Sequence, residues 1–404
     1  MPEQPVRDPL ESRLRAERDR LDIEQPPMEV IAARAAALRR RRFAARAGAA
    51  AIAALVATGV AAVALERRDG PAPTAAASDP AAVWSADGIT ISGLAHLPAD
   101  LPGTVRDAEF LDADRGFLLT ADGSGTWISR TVDGGRTWST VRSPIADRPE
   151  LITIPGGAVL VGPGPGHPRA ATTDGVRWSG DSAPVGPAAA LTGNSRLIAL
   201  AGDACGAPTG SITTTDLAAV PQQPPLTVCW RSRVRAGDGS WWVGGRAADG
   251  SPAVAVSRDG GVSWEPHVFP GFPANASARA AMLGRTVFAA IVAPQEAAAA
   301  PERLLAVATS TDGGASFEAP HPTAGQATIG GDLVPLLDGR LLIVDGYGHW
   351  LVSEDGGASW VRLEGLHQTM RLARTEAGYV AYRMTTIYTA FSVDGLTWQK
   401  LDAQ

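Results

Sequence analysis

Three sets of side chains in this sequence have types suited to chemistry, and their spacing says which chemistry. The first is a series of aspartates at 133, 174, 216, 259, 312, 355 and 394, separated by 41, 42, 43, 53, 43 and 39 residues. The second is arginines Arg169, Arg246 and Arg383 together with the four tyrosines, Tyr347, Tyr379, Tyr382 and Tyr388. Converging arginines clamp a carboxylate, and a tyrosine activated by a glutamate can serve as a nucleophile on a sugar. The third is the pair Cys205 and Cys229, the only cysteines in the chain. An even cysteine count in an exported domain points to a disulfide. The histidines at 96, 167, 267, 321, 349 and 367 are isolated from one another in sequence. No zinc spacing, P-loop, dinucleotide fingerprint or nucleophile elbow is present, so no cofactor and no metal is expected.

The aspartates belong to a repeat. Thr131-Val-Asp133-Gly-Gly-Arg-Thr137-Trp138 returns as Ser257-Arg-Asp259-Gly-Gly-Val-Ser263-Trp264, as Ser310-Thr-Asp312-Gly-Gly-Ala-Ser316-Phe317 and as Ser353-Glu-Asp355-Gly-Gly-Ala-Ser359-Trp360. Two copies are one residue shorter, around Asp174 and Asp394, and a degenerate one lies at Thr214-Thr215-Asp216. A period of this length matches one four-stranded propeller blade. Asp followed by glycine makes a tight turn with positive φ, its carboxylate accepting from the amides of its own turn. The aromatic residue then opens the next strand. Seven aspartates on seven blades sit apart around a ring, which argues for a structural role and against a shared catalytic one.

These residues resemble the Asp box, or BNR repeat, of sialidases, some other glycoside hydrolases, sortilin-type receptors and photosystem assembly factors. The resemblance covers about residues 105–404. It implies an all-β fold, a seven-bladed β-propeller of Asp-box repeats, and a ligand face opposite the boxes. It does not imply one activity, since the fold hosts many. A sialidase also carries a Phe-Arg-Ile-Pro segment before its first boxes; here Leu94–Arg106 offers only Arg106. Tyr379, Tyr382 and Tyr388 read as strand residues.

Upstream of the repeat the chain changes character. Residues 1–46 hold 11 arginines and 8 acids, whereas the remainder carries a net charge of −9. An acidic main domain is a poor partner for nucleic acid. Residues 1–43 read as a short helical cytoplasmic tail. Ala47–Leu65 is a run of 19 uncharged residues, about 28 Å as a helix, enough to span a bilayer core. Arg39–Arg42 and Arg46 precede it and place the N-terminus in the cytoplasm. The expected organisation is a tail (1–43), one transmembrane anchor helix (44–66), a Pro/Ala-rich linker (67–85) and an extracytoplasmic propeller (86–404). The competing reading is export after signal cleavage, on Ala62-Val63-Ala64 or the Arg40-Arg41-Arg42-Phe43 element.

Counting strands between boxes places Asp122, His167, Arg169, Asp203, Arg246, Tyr347, His349 and Arg383 on the face opposite the boxes. Cys205 and Cys229 fall on the same face. Pro294–Pro301 is an insertion there, and Gly88–Ser92 supplies a strand that helps close the ring. The expected function is a non-catalytic binding or scaffold module for a protein or cell-envelope glycan outside the cytoplasm. The alternative is a divergent sialidase-like exo-glycoside hydrolase, which requires the arginines to converge.

Overall fold

The structure is a computed structural model that describes residues 83–93, 101–146, 149–154, 156–162, 168–181, 188–192, 195–199, 212–214, 219–294, 301–325, 327–366, 368–382 and 388–402. Residues 1–82, where the tail, the anchor helix and most of the linker are expected, lie outside the described residues. No helix among the described residues is long and apolar enough to cross a membrane.

The described residues form an all-β propeller. Six blades, each an antiparallel sheet of four or more strands in chain order, cover 104–142, 150–181, 227–268, 277–322, 334–362 and 371–402. This corrects the count of seven expected from the repeat. The interval of the degenerate copy holds a two-stranded sheet instead, Leu197–Ala199 with Ile212–Thr214. The reason is local: Thr214-Thr215-Asp216 is followed by Leu217-Ala218, so the glycines that permit the turn and the aromatic that anchors the next strand are both missing. Asp216 itself lies outside the described residues.

Burial follows strand order. The second strands, such as Gly157–Val161 and Leu341–Val344, are buried throughout, whereas the fourth strands Ser139–Arg142, Glu265–Val268 and Val361–Arg362 are largely exposed. The fourth strand is therefore the rim, and the first strand faces the axis. Blades join through aromatic packing. Phe110 of the first blade stacks on Phe391 of the last at 4.7 Å between ring centroids. Trp350 meets Trp398 edge to face at 5.0 Å.

The ring is closed from the N-terminal side. Val83–Ala86 and Ile89–Gly93 form a hairpin, and its second strand pairs in parallel with Thr397–Asp402, widening the last blade to six strands. Ile89 and Ile91 are fully buried there. Asp87 and Gly88 both have positive φ, the signature of the two-residue turn that suits a hairpin. Arg340 pins this turn through Asp87 at 2.6 Å.

The six described aspartate turns repeat one hydrogen-bond pattern. In the first, Thr131 Oγ1 donates to Asp133 Oδ1 at 2.9 Å, and the Gly135 amide donates to Thr131 Oγ1 at 2.8 Å. The Thr137 amide and hydroxyl donate to the two Asp133 oxygens at 2.9 and 2.7 Å. Asp259, Asp312 and Asp355 repeat this with serines, and the shorter turns at Asp174 and Asp394 use two successive amides instead. The second glycine is also a close-approach point: a Cβ on Gly314 would lie 2.2 Å from the Trp242 ring of the preceding blade.

These donors, foremost the Ser263 and Ser359 hydroxyls, hold Asp259 and Asp355 down to about 2. A carboxylate whose folded pKa is lowered stabilises the fold above its unfolded value and loses that contribution as pH falls through the folded one. Asp355→Ala is expected to lower the melting temperature by a few degrees at pH 7 without unfolding the domain. The difference from wild type should shrink between about pH 4 and pH 2. Thermal melts by circular dichroism across that range check it.

Candidate functional site

The Asp turn lies beside the turn joining first and second strands, since Gly134 donates to the Asp114 carbonyl and Gly313 to that of Arg285. The opposite face is formed by loops between second and third strands and by blade-to-blade connections. The sequence-selected residues that can be described are placed there, each engaged within its own neighbourhood. Asp122 closes the turn before Gly125: its Oδ1 accepts from the Ser124 amide and hydroxyl at 2.7 Å and from the Gly125 amide at 3.0 Å. Those bonds, the Ser124 hydroxyl's first, hold its pKa below the ordinary range. Arg246 ends its strand and donates to Asn275 Oδ1 at 2.8 Å. Arg169 opens the third strand of the second blade and is also engaged.

Asp345 organises the Gly-Tyr-Gly-His turn. It accepts from the Tyr347 and His349 amides at 2.8 Å and meets His349 Nδ1 at 2.9 Å. Tyr347 is 75% exposed and lies 6.3 Å from the His349 ring. This is the one pair among the sequence-selected residues that the structure brings together among the described residues. His167, Asp203 and Arg383 lie outside the described residues, as does Cys205. Cys229 sits at a register shift in the strand Thr227–Arg231, and no free cysteine is found among the described residues. No group of three or more His, Cys, Asp or Glu is placed to hold a metal among the described residues.

The dense chemistry is on the axis, which the sequence reading missed. Arg233, just beyond the first strand of the 227–268 blade, reaches the 104–142 blade and pairs with Asp107 at 2.9 Å and Glu109 at 2.7 Å. Glu109 also accepts from Thr153 of the second blade at 3.1 Å. Arg231 pairs with Glu150 and donates to the Leu197 carbonyl. Arg196, which is buried, pairs with Glu376 in the last blade, and Arg279 pairs with Glu302. A signal existed: Asp107 and Glu109 alternate within a strand otherwise ready for burial, and Arg231 and Arg233 alternate likewise. Charges on the inner strand of a ring point at a shared axis, so they need partners from other blades.

Burial raises both carboxylates against the opposing pull of Arg233, Glu109 to about 8. One guanidinium thus faces two carboxyl groups. Tyr382, buried beside them, is pushed above its ordinary range for the same reason. Next to the network is a cavity lined by Trp230, Arg233, Met282, Asp332, Arg374 and Tyr379, with space of about 20 Å³ for water centres. That admits one or two waters and is far below the several hundred Å³ of a small-molecule pocket.

No protein-family model and no curated protein matches the chain. Solved structures similar to it include YCF48 bound to D1 peptide, with 19% identity, 76% of this chain and 85% of that one covered, and a TM-score of 0.34. YCF48 from Cyanidioschyzon merolae is 17% identical over 76% of this chain and 95% of that one, with a TM-score of 0.41. The GH74 enzyme of Niastella koreensis is 15% identical over 73% of this chain and 46% of that one, with a TM-score of 0.36. At these values the fold assignment rests on the blades themselves.

Two substitutions test the network. Arg233→Met leaves two buried carboxyl groups without their cation and is expected to cost about 3–5 kcal/mol, read as a lowered denaturation midpoint. Glu109→Gln acts in the other direction. A carboxyl whose folded pKa is raised binds more protons folded than unfolded, so it erodes stability as pH rises from about 4.5 to about 8. The Gln variant should lose that component and exceed wild type at pH 8–9 in parallel chemical denaturations.

Proposed function

We propose that the chain is a single-pass membrane protein whose Asp-box propeller sits outside the cytoplasm. There it acts as a non-catalytic binding or scaffold module for a protein or cell-envelope glycan. In this reading 44–66 is the anchor and 67–85 the spacer. The sheet at 197–214 is the remnant of a seventh blade around Asp216, and Cys205 and Cys229 form a disulfide at its edge.

The observation that carries the reading is the filled axis. A propeller that processes a sugar needs a cleft with convergent groups. Here Arg233, Asp107 and Glu109 are paired between blades, and the adjoining cavity has room for water-sized guests. What is left for a partner is the outer surface of the face opposite the Asp turns, with the exposed Tyr347 ring as its anchor. Exposed aromatics flanked by polar groups are favoured contacts for proteins and for sugars. The sialidase-like alternative asks for converging arginines, and Arg246 is held by Asn275 instead.

Full-length protein in detergent should show no turnover on a panel of fluorogenic glycosides, sialosides included. It should bind isolated cell-envelope material saturably, and Tyr347→Ala should weaken that binding about tenfold or more, in line with an aromatic hot spot. Turnover abolished by Arg246→Ala would replace this reading with the hydrolase. An alkaline phosphatase fusion after residue 82 should be active, as expected of an extracytoplasmic position.

A further inference from the structure

The arginines around the axis are of two kinds. Arg196, Arg231, Arg233 and Arg279 each pair with a carboxylate. Arg374 makes no ion pair among the described residues. Its Nη1 donates to the Met282 carbonyl at 2.7 Å, which leaves Nε and Nη2 without a protein acceptor among the described residues. Arg374 lines the axial cavity, and so does Tyr379, a buried side chain whose hydroxyl likewise has no protein partner among the described residues.

Asp332 lines the same cavity, but its oxygens are turned to other donors. Oδ1 accepts from Trp230 Nε1 at 3.0 Å, and Oδ2 from the Arg374 backbone amide at 3.1 Å. The remaining walls include Ala280, Met282, Leu333 and Pro335. A partly buried guanidinium and a phenol therefore present spare donors to one small apolar-walled space. A partly desolvated guanidinium attracts a negative charge more strongly than one in bulk water.

We propose that this cavity binds a small monovalent anion of halide size, held between the Arg374 guanidinium and the Tyr379 hydroxyl. Size and charge select the class. The space suits a guest close to one water in volume, whereas a tetrahedral oxyanion needs room for five heavy atoms and presses further charge toward Asp332. The apolar walls favour chloride and bromide, which shed water readily, over fluoride.

The test uses full-length protein in detergent at constant ionic strength. Melting temperature is followed as gluconate is replaced by chloride, bromide or fluoride. A saturable rise in chloride and bromide at millimolar levels is expected, because a ligand bound only by the folded state stabilises it. Arg374→Gln should abolish the rise, Tyr379→Phe should reduce it, and Arg246→Gln should leave it intact. If Arg374→Gln does not fold, Tyr379→Phe still reads the site. Crystals of wild type grown in bromide should show anomalous scattering within hydrogen-bond reach of both side chains. Superimposable curves in chloride and gluconate, or a cavity holding only water, would overturn the proposal.

Discussion

A ring of blades leaves a gap on its axis, and the inner strand of every blade must place half of its side chains there. This protein fills the gap with charge. Arg233 meets Asp107 and Glu109, and Arg231 meets Glu150, so two arginines on one segment tie the 227–268 blade to two others. Arg196 reaches Glu376 in the last blade. These are contacts between elements far apart in sequence, at the place where the blades converge. Each carboxyl group must find its cation from another blade or be buried alone, a state several kcal/mol higher. The mutual placement of the blades therefore depends on this pairing, in addition to the aromatic packing between neighbours.

The same residue types behave in opposite ways at the two ends of a blade. The Asp turns are exposed and self-contained, each carboxylate held by hydroxyls and amides within four residues. Those donors lower their pKa values. On the axis, Asp107 and Glu109 are buried, and desolvation raises them even with Arg233 in contact. One environment is supplied by the local chain, the other by the assembled ring. The Asp turn shapes a blade. The axial network joins blades.

That division explains the candidate site. Loops opposite the turns carry Asp122, Arg246, Tyr347 and His349, and each polar member is satisfied within or next to its own loop. Tyr347 is exposed.

The repeat determined the blade architecture from sequence alone, because an Asp-Gly turn with flanking hydroxyls and an aromatic residue is a local device whose chemistry is complete within eight residues. The same logic made the closing strand near Gly88–Ser92 legible, and it sits in the hairpin that pairs with the last blade. Strand counting selected Asp122, Arg246, Tyr347 and His349, and each of them ends a second strand or lies between second and third strands. Local chemistry could not say how many complete blades the period yields: the copy at Asp216 keeps the spacing but lacks the glycines and the aromatic, and among the described residues two strands stand there. Nor could it find the axial site. Arg233 and Glu109 are more than a hundred residues apart, and what makes them partners is the closing of a ring, which brings inner strands to one axis. Which arginine has a carboxylate partner, and that Arg374 has none among the described residues, is decided only by that closure.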